Sequence, residues 1–200
     1  MALTGDSLGG GRRMVRFDSG RICLDLLATG AYDSEQLDGT AQLERWLLDA
    51  GLLPRDAPCG VVGGDWPPRF VELRCCVGAL VVAELRGACP DGAPDALDRL
   101  NALAAAPPPG VRAVPGADGV LVRTLDRAPE CAALLALVAR DAIDLLTDPG
   151  ALALLRQCEG DSCRLLYLDT SRGRRRRWCS SEACGNRERV ARHRRRLAAL

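Results

Sequence analysis

The chain has 200 residues, 48% of them hydrophobic, and 27 basic residues against 26 acidic ones. That suffices for a real core in one domain or two, but no uninterrupted apolar stretch is long enough to span a bilayer and no apolar segment follows the first charges in MALTGDSLGGGRRMVRF; a cytoplasmic protein is expected. The near-neutral total hides a polarised molecule, because residues 1–150 hold 14 Arg against 21 acidic residues whereas residues 151–200 hold 13 Arg against 5.

In chain order, the Gly-rich residues 1–13 are expected to be a flexible N-terminus. MVRFDSGRICLDL then reads as two short extended pieces around an Asp-Ser-Gly turn, running into an apolar segment able to turn helical. In TAQLERWLLDAGL, Thr40 is placed to cap a helix whose Leu43, Trp46, Leu47 and Ala50 share one face and which ends at Gly51. A Pro- and Gly-rich loop over residues 54–68 leads to a long helix over 69–87, with Phe70, Leu73, Val77, Leu80 and Val81 as its apolar stripe. Leu97, Leu100 and Leu103 continue the helical pattern after Pro94. The run APPPG at residues 106–110 stops it, since proline lacks the amide donor and clashes with the preceding turn.

VRAVPGADGVLVRTL predicts a hairpin turning at Gly116–Gly119. From Pro129 to Leu146 the pattern is helical again, and Asp148-Pro149-Gly150 closes it as a domain boundary. Residues 14–150 therefore read as a mainly helical α+β domain with a small β-sheet, a candidate sensor or oligomerisation unit. No nucleophile, acid–base pair or open metal site stands out, so the chain is not expected to be an enzyme. Cys23, Cys59, Cys75, Cys76, Cys89 and Cys131 lack ligand spacing and read as small buried hydrophobes.

The chemistry concentrates in residues 151–200. Two C-x4-C pairs, Cys158/Cys163 and Cys179/Cys184, are separated by fifteen residues. A pair of thiolates on a tight turn supplies one edge of the tetrahedron that zinc requires, and two such turns close the site. Gly160, Asp161 and Ser162 suit the first bend, and Ser180 and Ser181 the second. Four Cys ligands leave no open coordination position, so one structural Zn2+ is expected, its binding energy folding a segment too small to bury its own core. Two disulfides, a redox-active thiol centre and an iron–sulfur cluster are the competing readings; a reducing compartment and the spacing disfavour the first two.

Between the pairs, RLLYLDTS is β-like, and Arg172-Gly173 suggests a turn into a second extended piece ending at Trp178-Cys179, giving the order knuckle, hairpin, knuckle, helix. On residues 187–200, Val190, Ala191, Leu197 and Ala198 fall within one arc and are expected to pack on that hairpin. Arg189, Arg192, His193 and Arg196 fall opposite, with Arg195 at the edge and Arg187 and Arg194 nearer the packed side. Only Glu188 interrupts this series, and unrelieved like charge at i, i+3 and i+4 destabilises a helix unless something anionic offsets it. With the run Arg174, Arg175, Arg176 and Arg177, these residues form a candidate nucleic-acid surface, DNA being the expected partner. RNA, or an acidic protein of the transcription machinery, is the alternative. Asn186 and Arg187 are also placed to brace the knuckle, and Trp178 to pack on the metal module. His193, the only histidine, is superfluous as a ligand beside four cysteines.

At these residues the sequence resembles the bacterial CGNR-type zinc fingers, named for the motif that stands here as Cys184-Gly185-Asn186-Arg187. The likeness extends over both C-x4-C pairs, LYLDTSRGRRRRWCS and ARHRRR. Upstream, RICLDLLATG and LERWLLDAGL look like the companion ABATE domain. The resemblance implies a stress-induced transcriptional regulator with the four cysteines as zinc ligands, and the order knuckle, hairpin, knuckle, helix is itself treble-clef-like. With no apolar span, no membrane partner is expected, and a homo-oligomer is a candidate assembly through the N-terminal domain.

Overall fold

The computed structural model describes residues 17–31, 35–55, 57, 59–87, 93–161 and 163–198. The flexible segment expected over residues 1–13, the start of the extended piece expected from residue 14, Cys89 and Ser162 lie outside the described residues, as do the side chains of Ala93, Ala183, His193 and Ala198.

Among the described residues, five helices and a hairpin build the larger body. They are α1 (Ile22–Ala28), α2 (Thr40–Asp49), α3 (Trp66–Arg86), α4 (Ala93–Ala104), the strands β1 (Val111–Pro115) and β2 (Leu121–Leu125), and α5 (Cys131–Leu146). Helix α5 is central: it packs on α1, α3 and α4, and its Leu134, Leu135, Val138, Ala139, Ala142 and Leu145 are fully buried. Phe70, Leu73, Val77 and Val81 of α3 and Cys23, Leu24 and Leu26 of α1 meet them in one core. The stripes read from the 3.6-residue period on α3 and α5 point inward, whereas on α4 Leu100 is buried, Leu103 packs at the edge of the core and Leu97 is exposed to solvent.

Three boundaries differ from the sequence reading. The turn to helix comes earlier than the second extended piece allowed: of that piece only Arg21 is extended and α1 starts at Ile22, because Cys23, Leu24 and Leu26 all turn into the core and the Asp141 carboxylate accepts the Cys23 N–H at 2.9 Å near the helix start. Thr40 is the first helical residue rather than the cap, which is Gly39 in extended backbone. Helix α3 starts three residues early because Pro67 and Pro68 occupy its first turn, where an amide donor is not needed. It ends at Gly87, whose φ of +61° is the left-handed conformation that closes helices. The expected hairpin is present, with Val111 opposite Leu125 and Gly119 at φ +79° in the turn. Only Leu125 anchors it in the core. Among the scattered cysteines, Cys23 and Cys131 are buried as expected; Cys59 and Cys75 are exposed and Cys76 is half-buried.

The chain does not break cleanly after α5. Asp148 accepts the Gly150 N–H at 2.8 Å and caps the short helix α6 (Pro149–Leu152). Strand β3 (Leu155–Gln157) follows, pairing antiparallel with β4 (Leu166–Leu168). The hairpin of this unit therefore wraps the first C-x4-C turn instead of lying between the two cysteine pairs. Strand β4 is held on its other side too, its Leu168 N–H donating to the Ser19 carbonyl at 2.8 Å. Its side chains alternate with the strand period. Leu166 and Leu168 join the helical core, while Leu165 and Tyr167 face the cysteines. After one further wide turn (Ser181–Gly185) comes α7 (Asn186–Ala198).

Candidate metal centre and nucleic-acid interface

The first knuckle closes through the Cys163 N–H on the Gly160 carbonyl at 2.9 Å, and the Cys158 N–H extends the β3–β4 ladder to the Leu165 carbonyl at 2.9 Å. The second knuckle closes through Gly185 N–H on the Ser180 carbonyl at 2.9 Å, a wide turn that leads directly into α7. The knuckles meet where the Cys179 N–H donates to Cys158 Sγ at 3.2 Å.

The ligand atoms of Cys158, Cys163, Cys179 and Cys184 all lie within 4.8 Å of one another. Cys163 Sγ is 3.8 Å from Cys179 Sγ, which is 3.6 Å from Cys184 Sγ. A disulfide needs about 2.05 Å. Zinc–thiolate bonds of about 2.3 Å give a tetrahedral edge of about 3.8 Å, which these separations match. Burial pushes the Cys163 thiol up to about 11 and the Cys179 thiol well above its ordinary range. Burial also opposes ionisation of Cys184, but a hydrogen bond from Arg187, with contacts to the other cysteines, outweighs it and holds that thiol low. Arg187 Nη2 donates to Cys184 Sγ at 3.0 Å. A cationic donor on a thiolate is the expected surrounding of a metal-bound sulfur. The donor set fits one zinc ion held by four thiolates, with Leu165, Tyr167 and Ala28 of α1 walling the site and Trp178 packed against it.

The candidate nucleic-acid residues separate into two groups. Arg176 is turned inward: its guanidinium lies over the Tyr167 ring at 4.5 Å and donates to the carbonyls of Trp178 and Cys179. Arg177 pairs with Glu159 at 2.6 Å and covers the Trp178 ring. Arg187 is engaged at Cys184. Arg189 reaches the Ser181 carbonyl at 3.3 Å, and Arg195 has a loose pairing with Glu188 at 3.9 Å. Arg174, Arg175, Arg192 and Arg196 are exposed, as are Arg172 and also Arg194, which was expected nearer a packed side that α7 does not form, and none of the six has an ion-pair partner among the described residues. The backbone of His193 lies in α7.

The apolar arc of α7 does not pack as expected: Val190 is 45% and Leu197 60% exposed. The strand on which they were to sit is absent, since residues 170–178 form turns and irregular backbone. A buried carboxylate explains this. Asp169 accepts the Ser171 N–H at 3.0 Å, the Ser171 hydroxyl at 2.6 Å and the Arg176 N–H at 2.9 Å, folding the chain back on itself. The Ser171 hydroxyl, the largest influence, and these amides hold its carboxyl below the usual range.

Two family models match. One, described as "Putative stress-induced transcription regulator", covers residues 20–149. The chain belongs to this ABATE family. A second, the CGNR zinc finger, covers residues 155–197 and spans all four clustered cysteines. A comparison with curated proteins finds no match. The ABATE region thus precedes a zinc finger whose cysteines accommodate one structural ion, an architecture that is regulatory rather than enzymatic in kind. No described helix is long and apolar enough to cross a membrane.

Residues that sequence reasoning did not single out complete the ABATE–finger unit. Tyr167 donates its hydroxyl to the Arg176 carbonyl at 2.6 Å and is only 1% exposed. Asp169 organises the loop beyond it. The signal for the latter was present in Asp169-Thr170-Ser171, a run that favours side-chain-capped turns.

Proposed function

We propose that this chain is a DNA-binding transcription regulator in which a zinc-held finger, residues 151–200, presents α7 to the phosphate backbone. The observation that carries the reading is the exposed set Arg192, Arg194 and Arg196, which has no acidic partner among the described residues. Bringing such a series together is unfavourable in isolation and favourable beside a polyanion. The metal, when bound, supplies folding rather than reactivity, since four thiolates occupy its coordination sphere. The ABATE region serves as a sensor or association unit. The hairpin favours association, for it exposes Val111, Val120, Leu121 and Val122.

The test is a salt series on duplex DNA with the full, zinc-loaded chain. Each phosphate contact contributes about 0.9 to the slope of log affinity against log salt. Arg192→Ala with Arg196→Ala is therefore expected to weaken binding and flatten the slope by about 1.8. An unchanged slope overturns the α7 reading. A second reading, docking on an acidic protein of the transcription machinery, is favoured by the exposed Val190 and Leu197. It predicts that Val190→Ser with Leu197→Ser abolishes partner binding and leaves the salt slope on DNA unchanged.

A further inference from the structure

The loop from Ser171 to Arg175 is more rigidly built than its composition suggests. The buried Asp169 carboxylate binds both of its ends, at Ser171 and at Arg176. The Arg174 N–H closes it on the Ser171 carbonyl at 3.0 Å. Below it, Arg176 is locked between the Tyr167 ring and the second knuckle. What projects is Arg172, Gly173, Arg174 and Arg175, all exposed and with no acidic partner among the described residues. Arg174 sits at φ +48°, and among the described residues it is the one non-glycine in the left-handed region. That conformation is unfavourable for an arginine and persists only where the surroundings fix it.

We infer that this Asp169-clamped turn is a minor-groove reader, inserting Arg172 and Arg174 into A·T-rich duplex while α7 lies on the neighbouring backbone. The inference rests on the DNA-binding reading above. Shape supports it first. The minor groove is about 6 Å wide and excludes a helix of about 10–12 Å diameter, but admits a turn whose tip is a single glycine. Charge supports it next, because narrow A·T tracts carry an enhanced negative potential that attracts inserted arginine. Pre-organisation of the backbone lowers the entropic cost of ordering the turn on binding. Reach is adequate as well. Cys179 is five positions beyond Arg174, at most about 18 Å of chain, and Cys179 Sγ lies 3.6 Å from Cys184 Sγ at the base of α7. Turn and helix start thus fall within about one turn of duplex, roughly 34 Å.

Three alternating duplexes, poly(dA-dT), poly(dI-dC) and poly(dG-dC), separate the grooves. Inosine is guanine without its 2-amino group, so the I·C pair resembles A·T in the minor groove and G·C in the major groove. The full zinc-loaded chain is expected to bind the A·T and I·C polymers alike, each roughly tenfold tighter than the G·C polymer. Arg172→Ala with Arg174→Gly is expected to bind all three alike while retaining its zinc and thermal stability, since both side chains are exposed and glycine suits the positive φ. Equal binding of the three polymers by the wild-type chain, or I·C grouping with G·C, overturns the inference and leaves DNA binding through α7 intact. Binding to none of them at low salt overturns both.

Discussion

Arg187 offers the sharpest test of the division between arginines that build the finger and arginines that face outward. Its Nη2 donates to Cys184 Sγ at 3.0 Å. A hydrogen bond to a charged partner contributes about 1.5–3 kcal/mol, and exposure of the Arg187 side chain places this one at the lower end. About 1.4 kcal/mol is a factor of ten in affinity, so Arg187→Ala is expected to weaken zinc binding roughly tenfold, in line with other groups that support a metal ligand. Competition of the full chain against a chromophoric zinc chelator measures this, with DNA affinity of the zinc-saturated variant recorded alongside. Arg187→Lys, which keeps the charge but loses the planar fork, should fall between wild type and alanine. Unchanged zinc affinity together with weakened DNA binding would refute the assignment and place Arg187 on the phosphate instead.

Tyr167→Phe keeps the ring beneath Arg176 but removes the donor to the Arg176 carbonyl, and is expected to cost about 1–2 kcal/mol, read as a lower denaturant midpoint at unchanged m. Leu168→Ala empties a buried site at the edge of the helical core. A loss of about 2–5 kcal/mol should appear in the far-ultraviolet dichroism of the helices, although residue 168 belongs to the finger. Burial raises the Asp25 carboxyl from its ordinary value of 3.8 to about 6. Because the folded-state value is the higher one, its penalty is fully present above about pH 6 and disappears below 3.8, so stability should rise on acidification through that window. Asp25→Asn should remove this rise. Glu35, which the Arg74 hydrogen bond lowers from 4.5 to about 2, acts in the opposite sense and only below 4.5, leaving the upper part of the window to Asp25.

Most of the helical body was legible in the sequence because its stripes obey one period: every apolar residue read onto α3 and α5 is there for the core. The cysteine cluster was legible because ligand spacing is a geometric constraint that survives any uncertainty in the intervening backbone. The strand pairing was not. Leu155–Gln157 is only three residues long and precedes its turn, and that turn is the metal knuckle rather than a Gly/Asn pair, so nothing local marks it as a hairpin. The same gap misplaced the apolar arc of α7, which was assigned to a strand that Asp169 prevents. Charge runs were equally ambiguous. Arg174, Arg175, Arg176 and Arg177 are identical in sequence, yet a neighbouring Tyr167 ring and Glu159 carboxylate draw two of them back into the finger.

Strand β4 has consequences for how this protein responds to its metal. Leu165 and Tyr167 lean on the cysteine cluster while Leu166 and Leu168 fill the helical core, so one short segment is a shared wall between two compartments. Whatever loosens one side of the wall withdraws support from the other. Zinc occupancy and cohesion of the ABATE helices are therefore linked quantities, and linkage is reciprocal: a ligand or mutation that tightens the helices must also raise the finger's affinity for zinc.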